Sequence, residues 1–118
     1  MVKEFRFILR GEGCKADLSV EKIRAFFYDL TAVLGMHVWK RPRAWEMKMS
    51  GLEPGFSGDV IWHESGCQLH NYATEAKTTL DIYSCREFSL DLAQRLFEAY
   101  FEPEEVRNCV PVLRSNRG

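Results

Sequence analysis

Residues 55–72 read Gly-Phe-Ser-Gly-Asp-Val-Ile-Trp-His-Glu-Ser-Gly-Cys-Gln-Leu-His-Asn-Tyr, and residues 78–85 read Thr-Thr-Leu-Asp-Ile-Tyr-Ser-Cys. These segments predict three short strands, 57–64, 67–72 and 78–85, with the Ser-Gly pair at 65–66 forming a tight hairpin turn between the first two. Four side chains in them are able to act as nucleophiles or to transfer protons: Ser57, Ser65, His70 and Cys85. Each of these alone is more often an ordinary strand or turn residue, so only their combined spacing is informative.

Two amphipathic helices are predicted around these strands. The first begins after Ser19, a favourable N-cap, and ends at Gly35. Its apolar residues recur every three or four positions: Val20, Ile23, Phe26, Phe27, Leu30, Val33 and Leu34. The second begins near Ser89 and is stopped by Pro103. Its apolar stripe consists of Leu90, Ala93, Leu96, Phe97 and Tyr100.

Three further strands give the predicted order of strand, helix, four strands, helix, strand. They cover residues 4–10, 36–49 and 106–113, and Pro42 indicates a bulge or an edge position in the second of them. Two roles are open to the large side chains of that strand, lining a pocket or packing in the core, and core packing is favoured: Trp45, Met47 and Met49. Two striped helices on one antiparallel sheet form a two-layer sandwich. The predicted fold class is therefore α+β, a two-layer α/β sandwich in which two helices cover one face of an antiparallel sheet.

Side-chain alternation predicts which groups lie on the open face of this sheet. Successive side chains of a strand point to opposite faces, and Val60 and Leu69 are well suited to face the helices. Ser57, His70 and Cys85 then share the open face. That face also carries apolar and aromatic residues, which predicts that a second sheet covers it.

The composition is that of a soluble globular protein, and it argues against nucleic acid and membranes as partners. The 118 residues are expected to form one domain, 1–118, with 46% apolar and 28% charged residues. A net charge of −1 gives no general attraction to nucleic acid or to anionic membranes. No apolar run approaches the roughly 20 residues of a membrane span, and the first residues lack the apolar region of a signal peptide. We therefore expect a cytoplasmic protein.

The cysteines indicate neither a disulfide framework nor a metal site. Cys14, Cys67, Cys85 and Cys109 are spread singly along the chain, and in a reducing compartment they are expected to be free thiols. Their spacing from the histidines matches no metal-ligand pattern. We therefore expect no bound metal.

The combined pattern resembles the small prokaryotic S-adenosylmethionine decarboxylases. The resemblance rests on the Gly-Phe-Ser-Gly run at 55–58, the Glu64–Ser65 pair, His70 five residues later and Cys85 twenty residues after Ser65. The Leu-Asp-Ile-Tyr run just before Cys85 is also similar to an acidic, apolar and aromatic run of that family. The resemblance extends over most of the chain and includes the order of helices and strands.

The resemblance implies a pyruvoyl-dependent carboxy-lyase that is formed by self-cleavage. In the family the proenzyme is cut between the residues that match Glu64 and Ser65, and the serine becomes an N-terminal pyruvoyl group, which is the cofactor. By position, Ser57 is implied to hydrogen-bond the cleavage intermediate, His70 to act as the base, and Cys85 to donate a proton during turnover. The implied reaction is decarboxylation of S-adenosylmethionine in polyamine (spermidine) biosynthesis. The family's protomers pair sheet to sheet, which implies a homodimer through the open face.

The sequence departs from the family around the substrate pocket. Gly66 stands where the family usually has histidine, and residues 71–74 read Asn-Tyr-Ala-Thr where the family has Thr-Trp-Pro-Glu. The glutamate of that run holds the substrate's ribose, and Glu75 is one position late. No aromatic residue at 49–52 matches the one that stacks on adenine. The cleavage residues are therefore matched better than the nucleoside pocket.

Two alternatives follow from these departures. Ornithine or arginine needs no ribose contacts, so the protein is alternatively a decarboxylase of such a smaller amino acid. A protein of a different class, a non-processing homologue that acts as a binding or regulatory subunit, would keep the fold with Ser65 and Gly66 as a simple turn. Self-cleavage at Ser65 separates the enzymes from the binding protein.

Overall fold

The structure, a computed structural model, describes residues 3–109. Its elements are β1 (Phe5–Glu12), α1 (Val20–Leu34), β2 (Val38–Met47), β3 (Gly55–Trp62), β4 (Ser65–Tyr72), β5 (Lys77–Ser84), α2 (Leu90–Phe101) and β6 (Glu105–Cys109). A single 3-10 turn, Ala73–Glu75, joins β4 to β5. The order of helices and strands predicted from the sequence is confirmed, although residues 110–113 of the last predicted strand lie outside the described residues.

The six strands form one antiparallel sheet in the order β2-β3-β4-β5-β1-β6. Both helices pack on one face of this sheet and against each other, which confirms the predicted two-layer α+β sandwich. The three strands that carry the candidate residues, β3, β4 and β5, are adjacent and interior. Their backbones are paired on both sides, so the sheet supplies a rigid support for the site.

Local capping explains where the helices begin and end. The Ser19 hydroxyl accepts the Lys22 N–H at 3.1 Å, and Gly35 ends α1 with a φ of 67°, a left-handed conformation that favours glycine. The Ser89 hydroxyl accepts the Leu92 N–H of α2 at 3.1 Å. Two residues assigned to the apolar stripes are exposed instead: Val33 and Leu90. Val33 lies at the margin of its stripe and Leu90 lies in the first turn of its helix, where neither reaches the core.

The core consists of aromatic side chains between the helices and the sheet. Phe26 on α1 and Phe101 on α2 meet edge to face with ring centroids 5.0 Å apart. The indole N–H of Trp62, at the end of β3, donates to the Thr31 hydroxyl at 2.8 Å, and Thr31 donates to the Phe27 carbonyl at 2.7 Å. This buried chain of hydrogen bonds fixes the end of β3 against α1, next to the hairpin that carries the Glu64–Ser65 bond.

Two glycines of the Gly-Phe-Ser-Gly run are required by close backbone approach. A Cβ on Gly55 would lie 1.9 Å from the Asn71 carbonyl oxygen. A Cβ on Gly58 would lie 2.7 Å from the Phe27 ring and 2.8 Å from the Arg43 carbonyl oxygen. The glycines therefore let β3 pack tightly on both sides of the serine between them.

The hairpin between β3 and β4 differs from the one predicted. Trp62 pairs with Ser65, so the two turn residues are His63 and Glu64, and Ser65 is the first residue of β4. The reason is that the register is set by apolar pairing on the helix face, where Val60 lies opposite Cys67. The Ser-Gly pair indicates a nearby turn but does not occupy it.

β2 is an edge strand, and it is irregular near Pro42, as the sequence predicted. The register with β3 shifts between Lys40 and Arg43, on either side of the proline. The expected core packing of its large side chains is wrong for Trp45, which is 42% exposed, and for Met49, which is 68% exposed. Trp45 lies opposite Ser57 on the open face, and Met49 lies beyond the end of the strand. Neither described helix is long and apolar enough to cross a membrane.

The helix–sheet core accounts for the stability of the fold, which predicts different effects at two neighbouring rings of α1. Phe27 is fully buried, whereas Tyr28 is 52% exposed. Phe27→Ala should lower the free energy of unfolding by about 3–5 kcal/mol through lost burial and a residual cavity. Tyr28→Ala should change it by about 0.5 kcal/mol or less. Urea unfolding followed by circular dichroism measures both, and equal losses would contradict this assignment of the core.

Candidate active site

Ser57 and His70 are directly paired neighbours on β3 and β4. The Ser57 Oγ lies 3.0 Å from the His70 Nδ1, so the two side chains are hydrogen bonded. Ser57 is only 3% exposed although it lies on the open face. The tight β3 backbone thus holds a hydroxyl against an imidazole, a pair of groups able to exchange a proton.

The Glu64–Ser65 peptide bond lies at the hairpin and is held by β5. The Cys85 N–H, one residue past the end of β5, donates to the Glu64 carbonyl oxygen at 2.8 Å. Ser65 has a φ of 148°, a conformation that L residues rarely adopt and that typically costs about 1–3 kcal/mol. The carbonyl is therefore polarised by a hydrogen bond, and the residue that follows it is conformationally strained.

The Glu64 side chain is fixed by the connection between α1 and β2. His37 donates its backbone N–H to Glu64 Oε1 at 3.0 Å, and its Nδ1 lies 2.7 Å from Oε2. Arg86 Nη1 lies 4.0 Å from the same oxygen. The hydrogen bond from the His37 ring lowers the pKa of the Glu64 carboxyl from its usual 4.5 to about 2. Glu64 is therefore an anion with both carboxylate oxygens engaged.

These residues form two separate groups in one chain. The first is the Ser57–His70 pair, and the second is Glu64, Ser65 and Cys85 at the hairpin. Because Ser65 and His70 are five residues apart on the same strand, about 16 Å separates them at roughly 3.3 Å per residue. Alternation places Ser57 and His70 on the open face as predicted, whereas Cys85 lies one residue past the end of β5. The structure does not bring the imidazole to the Glu64–Ser65 bond of its own chain.

A cavity of about 480 Å³ opens on the sheet beside Ser65 and Gly66. Two ion pairs lie on the same face, each with two short contacts. Arg6 donates to Asp81 at 3.1 and 2.7 Å. Arg43 donates to Asp59 at 3.0 and 2.7 Å. The cavity is thus bordered by charges that are already neutralised within the chain.

Cys67 lies in the core, away from the two groups of candidate residues. Cys67 is buried in the core, where desolvation raises the pKa of its thiol well above the usual value. All four cysteines are free thiols. Within residues 3–109, no three His, Cys, Asp or Glu side chains converge as metal ligands would.

Comparison with known proteins identifies the family. A family model described as S-adenosylmethionine decarboxylase matches residues 6–111. The chain belongs to the S-adenosylmethionine decarboxylase family. One solved structure, the adenosylmethionine decarboxylase from Aquifex aeolicus VF5, matches with a TM-score of 0.70 and 16% sequence identity, over 99% of this chain and 98% of that chain. At this identity the likeness concerns the fold. No curated protein matches the sequence significantly.

Two residues beside the candidate site carry no local sequence signal of their position. His37 contacts Glu64 from 27 positions away, and Trp45 is the β2 neighbour of Ser57. No local motif marks either residue. The only available signal was period-two alternation along β2, which would place Trp45 on the face of its exposed neighbour Arg43, and Pro42 obscured it.

The contact with His37 predicts an unusual titration for Glu64. A lowered folded-state pKa means that this contact stabilises the fold above about pH 4.5, and that the stabilisation is lost as the pH falls through about 2. In an uncut Ser65→Ala chain, carbon-13 NMR of labelled glutamate should give Glu64 a pKa of about 2. His37→Ala should raise this pKa toward its usual value. A titration that His37→Ala leaves unchanged would contradict the assigned cause.

Proposed function

We propose that this member of the family is a pyruvoyl-dependent decarboxylase formed by self-cleavage between Glu64 and Ser65. The observation that supports the proposal is the conformation and hydrogen bonding of that peptide bond. Its carbonyl accepts the Cys85 N–H at 2.8 Å, and the serine that follows has a strained φ of 148°. The hydrogen bond continues the β4–β5 ladder past the Ser65–Ser84 pair, and the strained φ of Ser65 lies next to it.

The cleavage chemistry uses groups of the chain and one water molecule. The Ser65 Oγ attacks the Glu64 carbonyl carbon, the peptide C–N bond breaks, and the hydroxyl proton passes to the nitrogen, which gives an ester and a free amine. A base then removes the Cα proton of residue 65, and the ester C–O bond breaks. The leaving group is the main-chain carboxylate of residue 64, which becomes the C-terminus of fragment 1–64. Tautomerisation and hydrolysis of the resulting dehydroalanine consume one water and release ammonia. The products are fragment 1–64 and fragment 65–118 with an N-terminal pyruvoyl group.

Each step has a suitable group nearby or on a second protomer. The Cys85 N–H faces the oxygen on which negative charge develops, as an oxyanion-hole donor does. The Ser57–His70 pair supplies a hydroxyl to bond the intermediate and an imidazole to remove the proton. Cys85 supplies a thiol as a proton donor in turnover. Ser65 at the rim of the cavity fits a pyruvoyl group that a small substrate can reach.

The separation of the two groups favours a homodimer in which each chain completes the site of the other. A proton cannot pass directly over the roughly 16 Å between His70 and Ser65 of one chain. A two-fold axis between facing sheets, perpendicular to β4 near Gln68, would exchange the two ends of that strand. The partner subunit's His70 would then lie over Ser65, since facing sheets pack about 10 Å apart.

The open face has the character of a surface that a second sheet covers. Apolar side chains are exposed on it: Trp45 is 42% exposed, Ile61 43% and Tyr83 39%. The Arg6–Asp81 and Arg43–Asp59 pairs neutralise its main charges within the chain. Burial of this face therefore leaves no unpaired charge from these four residues.

The family and the cavity favour S-adenosylmethionine as the substrate. A volume of about 480 Å³ lies within the range of small-molecule sites, about 300–1,000 Å³. The pyruvoyl group supplies an electron sink for decarboxylation. This activity would place the protein in polyamine (spermidine) biosynthesis. A smaller amino acid, ornithine or arginine, is the second candidate because no carboxylate stands at position 74, where the family binds ribose.

Self-cleavage is tested by the intact mass of the freshly purified protein under denaturing conditions. We expect fragments 1–64 and 65–118, the second with a pyruvoyl terminus, and uncut chain in Ser65→Ala. The cleaved protein should release carbon dioxide from S-adenosylmethionine, with ornithine and arginine measured in parallel. A single mass for the wild type, stable over days, would overturn the proposal in favour of a non-processing binding protein.

Cys85→Ala serves as a matched variant in the same assays. It keeps the backbone N–H that bonds the Glu64 carbonyl, so cleavage should be spared. Loss of the thiol should slow carbon dioxide release by about 100-fold or more, the usual effect of removing a general acid. Undiminished release would exclude this cysteine as the proton donor.

Catalysis between protomers is tested by mixing two defective chains. Alone, Ser65→Ala should remain uncut because it lacks the attacking hydroxyl, and His70→Ala should be cleaved about 100-fold or more slowly because it lacks the base. In mixed dimers made by co-expression, the intact His70 of the Ser65→Ala chain should cleave the His70→Ala chain. Mass spectrometry of the two differently tagged chains measures this. Mixed dimers that stay uncut would exclude transfer between subunits.

A further inference from the structure

The Glu64 carboxylate is held by one residue that the cleavage chemistry does not use. His37 reaches both oxygens, through its backbone N–H at 3.0 Å and its ring Nδ1 at 2.7 Å. A third hydrogen bond joins the same two segments, because the His63 N–H donates to the His37 carbonyl at 2.8 Å. Three hydrogen bonds thus join the α1–β2 connection to the two-residue turn before Ser65.

Arg86 also lies near the Glu64 carboxylate. Its Nη1 lies 4.0 Å from Glu64 Oε2, and its Nη2 donates to the Leu34 carbonyl at 3.1 Å and to that of Gly35. The arginine is thereby anchored to the end of α1. Glu64 is consequently surrounded by cationic or hydrogen-donating groups from the α1–β2 connection and from the segment after β5.

The exposure of the two partners is very different. The Glu64 side chain is 14% exposed, whereas that of His37 is 71% exposed. An exposed ion pair contributes little to folding stability, typically about 0–1 kcal/mol. Removal of the His37 ring should therefore leave the fold intact while removing the 2.7 Å contact to Oε2, whereas the backbone N–H of residue 37 still donates to Oε1.

The position of this contact matters because it acts on the residue that supplies the attacked carbonyl. Glu64 is held at its carboxylate by His37 and at its carbonyl oxygen by the Cys85 N–H. With its carboxylate and its carbonyl oxygen both held, Glu64 is restricted in how far its carbonyl can rotate. Reactions within a chain gain rate when the reacting atoms are held near the attacking geometry, and a misplacement of about 1 Å can cost about 100-fold.

We propose that His37 is a positioning residue for self-cleavage, which acts by fixing Glu64 so that its carbonyl faces the Ser65 hydroxyl. This inference rests on the proposed cleavage between the same two residues. His37 does not touch the reacting atoms and transfers no proton. Its role is exerted entirely through the Glu64 side chain.

The test is the rate of cleavage of freshly synthesised chain, followed by intact mass. His37→Ala should slow cleavage by about 10- to 100-fold while the chain keeps the circular dichroism spectrum of the wild type. His37→Asn, whose side-chain amide N–H stands near the position of Nδ1–H, should restore most of the rate. Arg95→Ala is the matched control, because it breaks an exposed 3.0 Å pair with Asp91 on α2, and it should cleave at the wild-type rate.

A double-mutant cycle separates positioning from a general structural effect. If His37 acts through Glu64, His37→Ala should add no further slowing in a Glu64→Ala chain. Equal slowing in both backgrounds would overturn the inference, and so would cleavage of His37→Ala at the wild-type rate while the wild type processes normally. Those results leave the proposed function intact. A wild-type chain that stays uncut would overturn both.

Discussion

The pairing of β3 with β4 determines where every candidate group lies. On the helix face it sets Val60 opposite Cys67 and Gly58 opposite Leu69, and the Trp62 indole bonds Thr31 of α1. A shift of one residue would turn this apolar set toward solvent, so the core holds the register. The same register places Ser57 against His70 and leaves the Glu64–Ser65 bond at the hairpin.

The sheet therefore separates the reacting groups while holding each of them rigidly. The proton-transfer pair and the strained peptide bond lie toward opposite ends of β4, on a face with exposed apolar side chains and internally paired charges. In the proposed homodimer, such a face is half of a site. A second copy with the opposite strand direction would supply the missing half, so assembly and chemistry would depend on the same surface.

Glu64 links three parts of the fold at the bond proposed to be cut. Its carboxylate is bonded by the α1–β2 connection, its carbonyl by the residue after β5, and its position by the hairpin. The hydrogen bond from the His37 ring lowers the pKa of this carboxyl, which keeps it ionised. A residue that looks like an ordinary turn glutamate in the sequence is therefore a point at which distant segments are tied together.

Much of the fold follows from local sequence signals. Ser19 and Gly35 delimit α1 because capping depends on a few neighbouring residues, and period-two alternation turns Leu69 and Leu80 inward. The spacing of Glu64, Ser65 and later residues was specific enough to indicate the family, which the family model confirms.

Other features were decided only by tertiary structure. The hairpin turn moved to His63 and Glu64 because cross-strand packing outweighs the local turn preference of Ser65 and Gly66. The bonds of His37 to Glu64 span 27 positions, and the distance between Ser65 and His70 depends on the strand that contains them. Local sequence determines which elements form and which side chains are available. Long-range pairing of those elements determines which side chains meet, because no local interaction fixes the relative position of segments far apart in the chain.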